Sequence, residues 1–588
     1  MINARHVRFL AALFLLLVLA SCSRDDGATT STNTAGACAP NSVAITIVYA
    51  PESASYLPQV MSDFNDAYRN GRNPVTGQAL ASGEQSVCIT GESGSSGTTM
   101  QGIVNAVIAP NNSNVVRPTI FEPSVSHWLV LANYQSGRQI FDLSTTQATA
   151  LAPVVMAIWE SRLQAIRNTI GRDDVGWQDL LDVLNSPNGW QDYGISGRRT
   201  VYYGHTDPLV SSTALSTLIS EFYAAARANG FTGRRLTSAE VRDPNVQNGV
   251  RQIEELIRHY STRTTEFRNY IAQGPDYLDF VALEENDLVY INQGRTSEGV
   301  PPERLVALYP SEGTFWHEHP MGIVNASWTT PEQRTAAQSF VDYVLTTSVQ
   351  QRIMVEGFRP ANPNVPLDYP LVMENGVDVN QPRTVLDVPA PDVIAAIQQS
   401  WSFVKKQADI MLLIDVSGSM NNEAKIDQAI AAAQAFLSSM DSNNRIGLAT
   451  FSTNLNIRVP LDDYETNQQQ LNSQVRSLRA DGGTELYGAV RDVVDYMNQQ
   501  GETDRIRAVV LLSDGEDTGD KGVTLNDAIA ALEASHNDLN PVILVPVAYG
   551  SDADINALNA LARASATRIQ SGDPANIVSV LELISSYF

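Results

Sequence analysis

Short apolar runs of strand length alternate with amphipathic stretches along most of the chain after residue 43. Residues 43–50 and 87–90 are apolar runs that predict strands. Apolar side chains recur at helical spacing over residues 56–68 and 100–108, which predicts helices between and after these strands. The alternation predicts an α/β fold for residues 43–388.

One helix in this part has a clear start signal. Thr330 can cap a helix, Pro331 suits its first position, and Gln333 completes a capping box before the apolar residues of 340–345. A second amphipathic helix is predicted in the join at residues 389–407, behind two prolines. Its apolar face consists of Val393, Ile394, Ile397, Trp401 and Val404. The join therefore predicts a short packed connector between two domains.

The last part of the chain, residues 408–588, alternates more regularly. The predicted strands are residues 410–414, 446–451, 508–512 and 541–548, and the predicted helices carry residues 426–440, 486–497, 525–534 and 575–587. Alternation of this kind gives a mostly parallel sheet with helices on both faces. The expected fold class is thus α/β throughout.

Hard oxygen ligands follow several of these predicted strands. Asp415, Ser417 and Ser419 come directly after the first strand of the last part, Thr484 lies in a glycine-containing loop, and Asp514 ends the third strand. Open α/β folds place such residues at the carboxyl edge of the sheet, where they can converge. Hydroxyl and carboxylate oxygens suit Mg²⁺ better than nitrogen or sulfur would. The sequence therefore predicts a cation site.

Residues 408–588 resemble a von Willebrand factor type A (VWA) domain, and the five residues match its metal-ion-dependent adhesion site, D-x-S-x-S followed by Thr and Asp. The resemblance implies a Rossmann-like fold in which Ser417, Ser419 and Thr484 touch Mg²⁺, or Mn²⁺ or Ca²⁺ in its place. Asp415 and Asp514 would hold the ion directly or through water. It also implies an open coordination position that an Asp or Glu of a partner protein fills.

The N-terminus has the pattern of an export signal. Arg5 and Arg8 precede an apolar stretch, and residues 19–22 read like a bacterial lipobox, so residues 1–21 are predicted to be a signal peptide and Cys22 a lipidated cysteine. A retained membrane anchor is the alternative, but the apolar stretch is short for one. Residues 22–42 would contain a flexible tether to the bacterial cell envelope, facing the periplasm or the exterior.

Two further cysteines remain once Cys22 carries lipid. Cys38 and Cys88 form an even pair, which in an oxidising compartment favours a disulfide over free buried thiols. Closing the loop between Cys38 and Cys88 would stabilise the fold by roughly 3 to 4 kcal/mol.

Residues 43–388 resemble bacterial extracellular solute-binding proteins of the two-lobed, type II kind. The resemblance rests on phrases such as Gly176-Trp177-Gln178-Asp179-Leu180 and on residues 151–159, 206–213, 309–313 and 357–360. It implies two lobes joined by crossing strands, with a small solute between them.

Two predicted helix N-termini could grip such a solute. Ser95, Ser96 and Thr98 precede one helix, and Ser211, Ser212 and Thr213 open another. Unpaired backbone N–H groups at these ends could bind an oxyanion or carboxylate. Serine and threonine are also the usual caps of any helix, so ordinary capping remains an alternative.

Charge and motifs narrow the function. A formal net charge of −25 argues against nucleic acid or an anionic membrane surface as partner. The sequence contains no G-x-S-x-G elbow, P-loop or H-E-x-x-H motif, and His205, His317 and His319 are interpreted as polar loop residues. We therefore expect a non-enzymatic, lipid-anchored binding protein that engages a protein partner through the metal. The alternative is a transport or sensing receptor that delivers a solute to a membrane complex.

Overall fold

A computed structural model describes residues 38–110, 116–196, 201–255, 257–261, 264–502, 504–514, 517–518, 522–536, 541–550, 553–565, 567, 569–572, 577–585 and 588. The predicted signal peptide and Cys22 lie outside the described residues. Within the described ranges, no helix is both long and apolar enough to cross a bilayer.

The N-terminal part contains two sheets. Its strands β1 to β12 span Val43–Tyr49, Val87–Ser93, Ile120–Glu122, Gln147–Ala148, Ala150–Trp159, Tyr203–Thr206, Ile257–Ser261, Phe280–Glu284, Leu305–Leu308, Trp316–His317, Pro320–Ile323 and Arg359–Pro360. The first sheet has the order β2-β1-β3-β11-β4. The second has the order β10-β5-β8-β6-β7, with β9 and β12 also paired to β5. Each sheet is the centre of one lobe.

The two lobes are joined where the chain passes from one sheet to the other. It leaves the first sheet between β4 and β5, at Thr149, and returns between β10 and β11, at Glu318 and His319. These crossings are bonded to each other, since the Thr149 backbone N–H donates to the carbonyl of Glu318 at 3.2 Å and its hydroxyl donates to that of His319 at 2.6 Å. The predicted two-lobed architecture with crossing strands is confirmed.

The C-terminal part is built on one six-stranded sheet. Strands β13 to β18 span Ala408–Asp415, Arg445–Phe451, Leu455–Asp463, Ile506–Ser513, Val542–Tyr549 and Gln570–Gly572. Their order is β15-β14-β13-β16-β17-β18, and every pairing is parallel except that of β15 with β14. All residues of β13 and β16 are buried, as expected for central strands covered on both faces. The predicted mostly parallel sheet is confirmed.

Helices cover these sheets. In the N-terminal part the α-helices are Leu57–Arg69, Ser96–Ile108, His127–Ser136, Glu160–Ile170, Trp177–Leu184, Ser212–Ala228, Ser238–Arg242, Pro244–Glu254, Thr264–Ile271, Glu285–Asn292, Pro331–Val344 and Thr347–Val355. The connecting helix is Pro391–Val404, and the C-terminal α-helices are Lys425–Ser439, Tyr464–Arg476, Leu486–Gln500, Leu525–His536, Ile555–Ala564 and Ile577–Ser585. Shorter 3₁₀ segments are Pro51–Ser55, Gly189–Tyr193, Met373–Asn375 and Gly418–Ala424.

Local signals in the sequence account for several of these boundaries. The Thr330 hydroxyl accepts from the Gln333 backbone N–H at 3.2 Å, and the Gln333 side chain accepts from the Thr330 N–H at 3.0 Å, so the predicted capping box is confirmed. The predicted disulfide between Cys38 and Cys88 is also present, with a Cα–Cα distance of 5.5 Å. The bond ties Cys38, which lies shortly before β1, to β2.

One hydrophobic core runs through the connecting helix into the C-terminal sheet. Trp128 of the first lobe, Trp401 of the connecting helix and Phe436 of the C-terminal part belong to the same continuous cluster of buried side chains. The predicted apolar face of the connecting helix is buried as a whole. Beyond the helix, the Lys406 backbone N–H donates to the Tyr260 hydroxyl at 2.9 Å. The connector is therefore a packed element.

Candidate metal centre and interlobe cleft

The predicted cation ligands begin at the carboxyl end of the central strand β13. Asp415 is the last residue of β13 and is fully buried. One carboxylate oxygen accepts from the Ser417 backbone N–H at 2.8 Å, and the other accepts from the Ser513 hydroxyl at 2.9 Å. Burial raises the pKa of Asp415 to about 6, against the hydrogen bonds from Ser417 and Ser513 that lower it, and the nearby Asp514 raises it further. The Asp415 carboxylate is thus held in place by two hydrogen bonds.

Neighbouring strand ends bring the next ligands together. Since β16 pairs in parallel with β13, Asp514 follows β16 at the same edge of the sheet. The Ser419 hydroxyl donates to the Asp514 carboxylate at 2.7 Å and lies 2.9 Å from the Ser417 hydroxyl. The two serines and two aspartates of the motif therefore form one hydrogen-bonded group.

The loop that carries Thr484 is bonded to the same site. The Gly418 N–H donates to the carbonyl of Gly482 at 3.0 Å, and the Asp481 N–H donates to the carbonyl of Val416 at 2.7 Å. Gly482 has a positive φ of 91°, a conformation that favours glycine. Thr484 itself is buried and directly precedes Glu485, the N-cap of the Leu486–Gln500 helix. All five predicted ligands thus belong to loops that are in mutual contact.

A lysine that the sequence reasoning missed completes the group. The ammonium of Lys425 lies 2.8 Å from the second oxygen of Asp514, and both side chains are buried. Lys425 is the first residue of the Lys425–Ser439 helix, which follows the 3₁₀ segment after the serines. This ammonium brings a positive charge to the acidic pocket.

The donor set fits a hard divalent cation. Two buried carboxylates and the hydroxyls of two serines converge at the edge of the sheet. Thr484 lies in the loop whose backbone is hydrogen-bonded to the serine segment. Oxygen ligands of this kind suit Mg²⁺, which retains waters and needs few protein ligands. A bound cation would offset the negative charge of Asp415 and Asp514.

The fold and the D-x-S-x-S, Thr and Asp motif together define a VWA-type domain. A family model described as von Willebrand factor type A domain matches residues 410–516, so this part of the chain is a VWA domain. The match covers a minority of the whole chain.

Solved structures with similar folds fall into two groups. A von Willebrand factor type A protein from Catenulispora acidiphila is 18% identical over 31% of this chain and 42% of its own, with a TM-score of 0.28. The proximal thread matrix protein 1 of the mussel byssus, with a zinc-occupied MIDAS motif, is 18% identical over 31% of this chain and 47% of its own, with a TM-score of 0.26. The chain therefore spans less than half of the length of these two proteins.

The second group contains a periplasmic binding protein. A periplasmic thiamin binding protein is 11% identical over 63% of this chain and 99% of its own, with a TM-score of 0.42. No curated protein matches the chain.

The two predicted solute-binding helix ends meet at the interface between the lobes. Ser95 is the N-cap of the Ser96–Ile108 helix, and the backbone N–H of Gly97 donates to the Val210 carbonyl at 3.0 Å, just before Ser211. A Cβ at Gly97 would lie 2.0 Å from the Leu209 carbonyl oxygen, so only glycine permits this approach. The fold thus brings the N-termini of the Ser96–Ile108 and Ser212–Ala228 helices together.

Several of their polar groups already bind the protein itself. Ser211 caps its helix by accepting from the Ala214 N–H at 3.3 Å, and the Ser212 hydroxyl accepts from the Trp128 indole N–H at 2.9 Å. Ser96 is buried, whereas Thr98 is exposed to solvent. The hydroxyl of Thr213, also buried, has no hydrogen-bond partner within the described residues. Ser211 therefore acts as a helix cap, and Ser212 is bonded to Trp128.

A buried relay of acids and histidines crosses the interface beside these helix ends. From the end of β3, Glu122 accepts from His319 at 3.0 Å, and the other ring nitrogen of His319 lies 3.0 Å from Glu284 at the end of β8. The second oxygen of Glu284 lies 2.7 Å from His317, whose far nitrogen lies 2.9 Å from the Ser216 hydroxyl. All five side chains are fully buried.

This relay corrects the interpretation of the histidines. His317 and His319 are not polar surface residues, because carboxylates from distant strands converge on them in the folded chain. Burial opposes a charged His319, but Glu284 and Glu122 outweigh that effect and raise the pKa of His319 well above its usual range. His205 is likewise 1% exposed and lies in β6, so its assignment to a surface loop was also wrong.

A further acid lies in the same cleft. Glu52 accepts from the Ser124 hydroxyl at 3.1 Å. Burial raises its pKa to about 8, and the nearby Glu284 and Asp287 contribute to the increase. Between about pH 4.5 and pH 8, a raised pKa of this size keeps Glu52 protonated in the folded protein, whereas it is ionised in the unfolded chain.

Proposed function

We propose that this protein is a lipid-anchored, extracytoplasmic binding protein. Its VWA domain holds Mg²⁺ through Asp415, Ser417, Ser419, Thr484 and Asp514, and the bound ion takes a carboxylate from a protein partner. The observation that supports this proposal is the group of buried acids and hydroxyls that neighbouring strand ends bring into mutual contact. Mn²⁺ or Ca²⁺ could occupy the same oxygen ligands.

The metal would act as a bridge in this proposal. A divalent ion among oxygens that the protein only partly supplies is a Lewis acid with an exchangeable position, and a foreign Asp or Glu has the charge to fill it. The binding energy then depends on the ion, and a chelator abolishes it. Binding of this kind requires no catalytic group.

The two-lobed domain would serve as a recognition or scaffold module. The buried acid–histidine relay lies between its two lobes. The connecting helix packs against the two-lobed domain through Trp401, which contacts His205. The Cys38–Cys88 disulfide supports an oxidising compartment outside the cytoplasm. Lipidation at Cys22 would keep the whole protein on the membrane surface.

Metal-dependent binding can be tested with two aspartate variants of the full-length protein. Affinity capture from surface extracts is performed in Mg²⁺ and in chelator with wild type, Asp415→Ala and the control Asp427→Ala, which changes an exposed acid on the following helix. We expect partners captured by wild type and by the control in Mg²⁺ to be lost in chelator and in Asp415→Ala. Retention of every partner by Asp415→Ala would refute the metal bridge.

The orphan hydroxyl of Thr213 favours a second candidate function, that of a solute receptor for transport or sensing. This buried hydroxyl lies at the start of a helix that faces the other lobe, where a small oxyanion could accept from it. Thermal unfolding with a panel of oxyanions and small organic solutes, and separately with Mg²⁺, distinguishes the two functions. Stabilisation by a solute but not by Mg²⁺ would favour the receptor.

A further inference from the structure

Three metal-ligating side chains converge beneath the connecting helix, far along the chain from the VWA motif. They are His205 on β6, Glu221 in the middle of the Ser212–Ala228 helix, and Glu254 at the end of the Pro244–Glu254 helix. One ligand atom from each lies within 4.8 Å of the other two. Among the residues that the structure describes, this is the only such group of three histidine, cysteine or acidic side chains.

Their polar atoms are buried and incompletely bonded. His205 is 1% exposed, and Glu221 and Glu254 are fully buried. Both ring nitrogens of His205 have no hydrogen-bond partner within the described part of the chain, and Oε2 of Glu221 and Oε1 of Glu254 have none there beyond the pair that the two carboxyl groups themselves form. Leaving such groups unpaired in an apolar interior costs on the order of 1 to 3 kcal/mol for each neutral group and more for a charge. A well-packed domain requires a reason to keep them.

Tyrosines support the two carboxylates from the other side. The Tyr260 hydroxyl donates to Oε2 of Glu254 at 2.8 Å, and the Tyr203 hydroxyl donates to Oε1 of Glu221 at 3.4 Å. Each carboxylate therefore has one oxygen that is held by a phenol and one that is left for another partner. Hydrogen bonds of this kind orient a ligating carboxylate.

The donor atoms of the group match a divalent cation. The two carboxyl groups of Glu221 and Glu254 and the imidazole of His205 provide three donor atoms of mixed oxygen and nitrogen type, and a divalent ion binds such groups in their deprotonated form.

We propose that His205, Glu221 and Glu254 form a second, buried metal site for a divalent transition metal, with Zn²⁺ as the best match. Mixed nitrogen and carboxylate ligands suit Zn²⁺, whereas the all-oxygen VWA site suits Mg²⁺. Ligand atoms on tetrahedral Zn²⁺ lie about 3.4 Å apart, so the observed spacing needs only a small inward movement of the side chains. Water or a second carboxylate oxygen would complete the coordination.

The position of the site gives it a structural consequence. The ring of Trp401, in the connecting helix, lies 5.8 Å from that of His205 and 5.4 Å from that of Tyr260. The ion would fasten one strand and two helices of the second lobe directly under this tryptophan. It would therefore stabilise the surface on which the connecting helix packs.

The test uses the full-length protein in an Asp415→Ala background, which disables the VWA site. Protein is loaded with Zn²⁺, dialysed extensively, and its zinc content is measured by mass spectrometry. We expect one retained equivalent, which His205→Gln or Glu221→Gln removes in the same background. His127→Gln is the matched control, because His127 is equally buried with two unpartnered ring nitrogens in the described chain but does not belong to the group.

X-ray absorption at the zinc edge provides a test that does not depend on the folding of the glutamine variants. In the zinc-loaded Asp415→Ala protein we expect the scattering pattern of one imidazole together with oxygen ligands. Failure of this protein to retain zinc, or an all-oxygen shell, would overturn the proposal. Loss of zinc in His127→Gln to the same extent as in His205→Gln would also overturn it.

Discussion

Replacing Lys425 with methionine is expected to make the stability of the VWA domain depend on its metal. The Lys425 ammonium is 2.8 Å from Asp514, and both groups are buried. Methionine preserves much of the side-chain volume but removes the ammonium that is bonded to this carboxylate. Asp415 and Asp514 then share a buried pocket without a compensating charge.

The magnitude follows from the burial of the pair. Removing one partner of a buried ion pair costs about 3 to 5 kcal/mol, because the other charge stays desolvated. The Ser419 hydroxyl still donates to Asp514 at 2.7 Å, so we expect a loss near the lower limit, about 3 kcal/mol, in chelator. Mg²⁺ at 100 times its dissociation constant contributes about 2.7 kcal/mol by linkage. Because the ion no longer competes with an ammonium, the variant should gain more from Mg²⁺ than wild type does.

The assay is urea unfolding followed by far-ultraviolet circular dichroism, in chelator and in saturating Mg²⁺. Lys406→Met serves as the control, since Lys406 is a partly buried lysine in the connector, bonded to the Ile257 carbonyl at 3.1 Å. We expect it to lose stability without a larger response to Mg²⁺. If Lys425→Met is as stable as wild type in chelator, or if Mg²⁺ stabilises both equally, the assigned role of Lys425 is wrong.

Three further changes have defined outcomes. Because the pKa of Glu52 is raised to about 8 from an ordinary 4.5, its stabilising contribution is complete below about pH 4.5 and is lost as the pH rises to about 8. Over this interval the free energy of unfolding of Glu52→Gln, measured by urea unfolding, should rise relative to that of wild type by up to about 1.4 kcal/mol per pH unit. The control Glu374→Gln, which changes an exposed acid, should show no such rise. Replacing Cys38 and Cys88 with serine should cost about 2 to 5 kcal/mol in the same assay, and an unchanged midpoint would contradict a stabilising disulfide. Trp401→Ala should lower the free energy of unfolding by about 3 to 5 kcal/mol and should separate the unfolding transition seen by tryptophan fluorescence from that seen by circular dichroism. Coincident transitions at the wild-type midpoint would show that the connecting helix is not packed between the two parts.

The sequence predicted most of the central strands and the metal motif, because both are local signals. Continuous apolar runs identify β13 and β16, and the residues that follow a buried parallel strand must lie at the sheet edge. The capping box at Thr330 is equally local. The edge strand β15 was missed because its burial is partial and irregular, with a break in register against β14. The Tyr464–Arg476 and Ile555–Ala564 helices were missed as well.

The buried histidines could not be predicted in this way. His319 bonds to Glu122 and Glu284, which are far away in sequence and belong to different sheets. Likewise, nothing near His205 in the sequence indicates that glutamates from two separate helices face it. These contacts result from the packing of lobes and helices, which residue patterns do not specify. Lys425 could have been suspected only from its closeness in sequence to the serine motif.

The hydrophobic continuity through the connecting helix bears on how this protein would carry load. Because packed side chains join Trp128, Trp401 and Phe436, tension applied to a ligand on the C-terminal sheet would reach the two lobes through a stiff junction. Under tension, the N-terminal and C-terminal parts could rotate against each other only after the apolar side chains between them became exposed to water. The two halves should therefore resist a pull as one body.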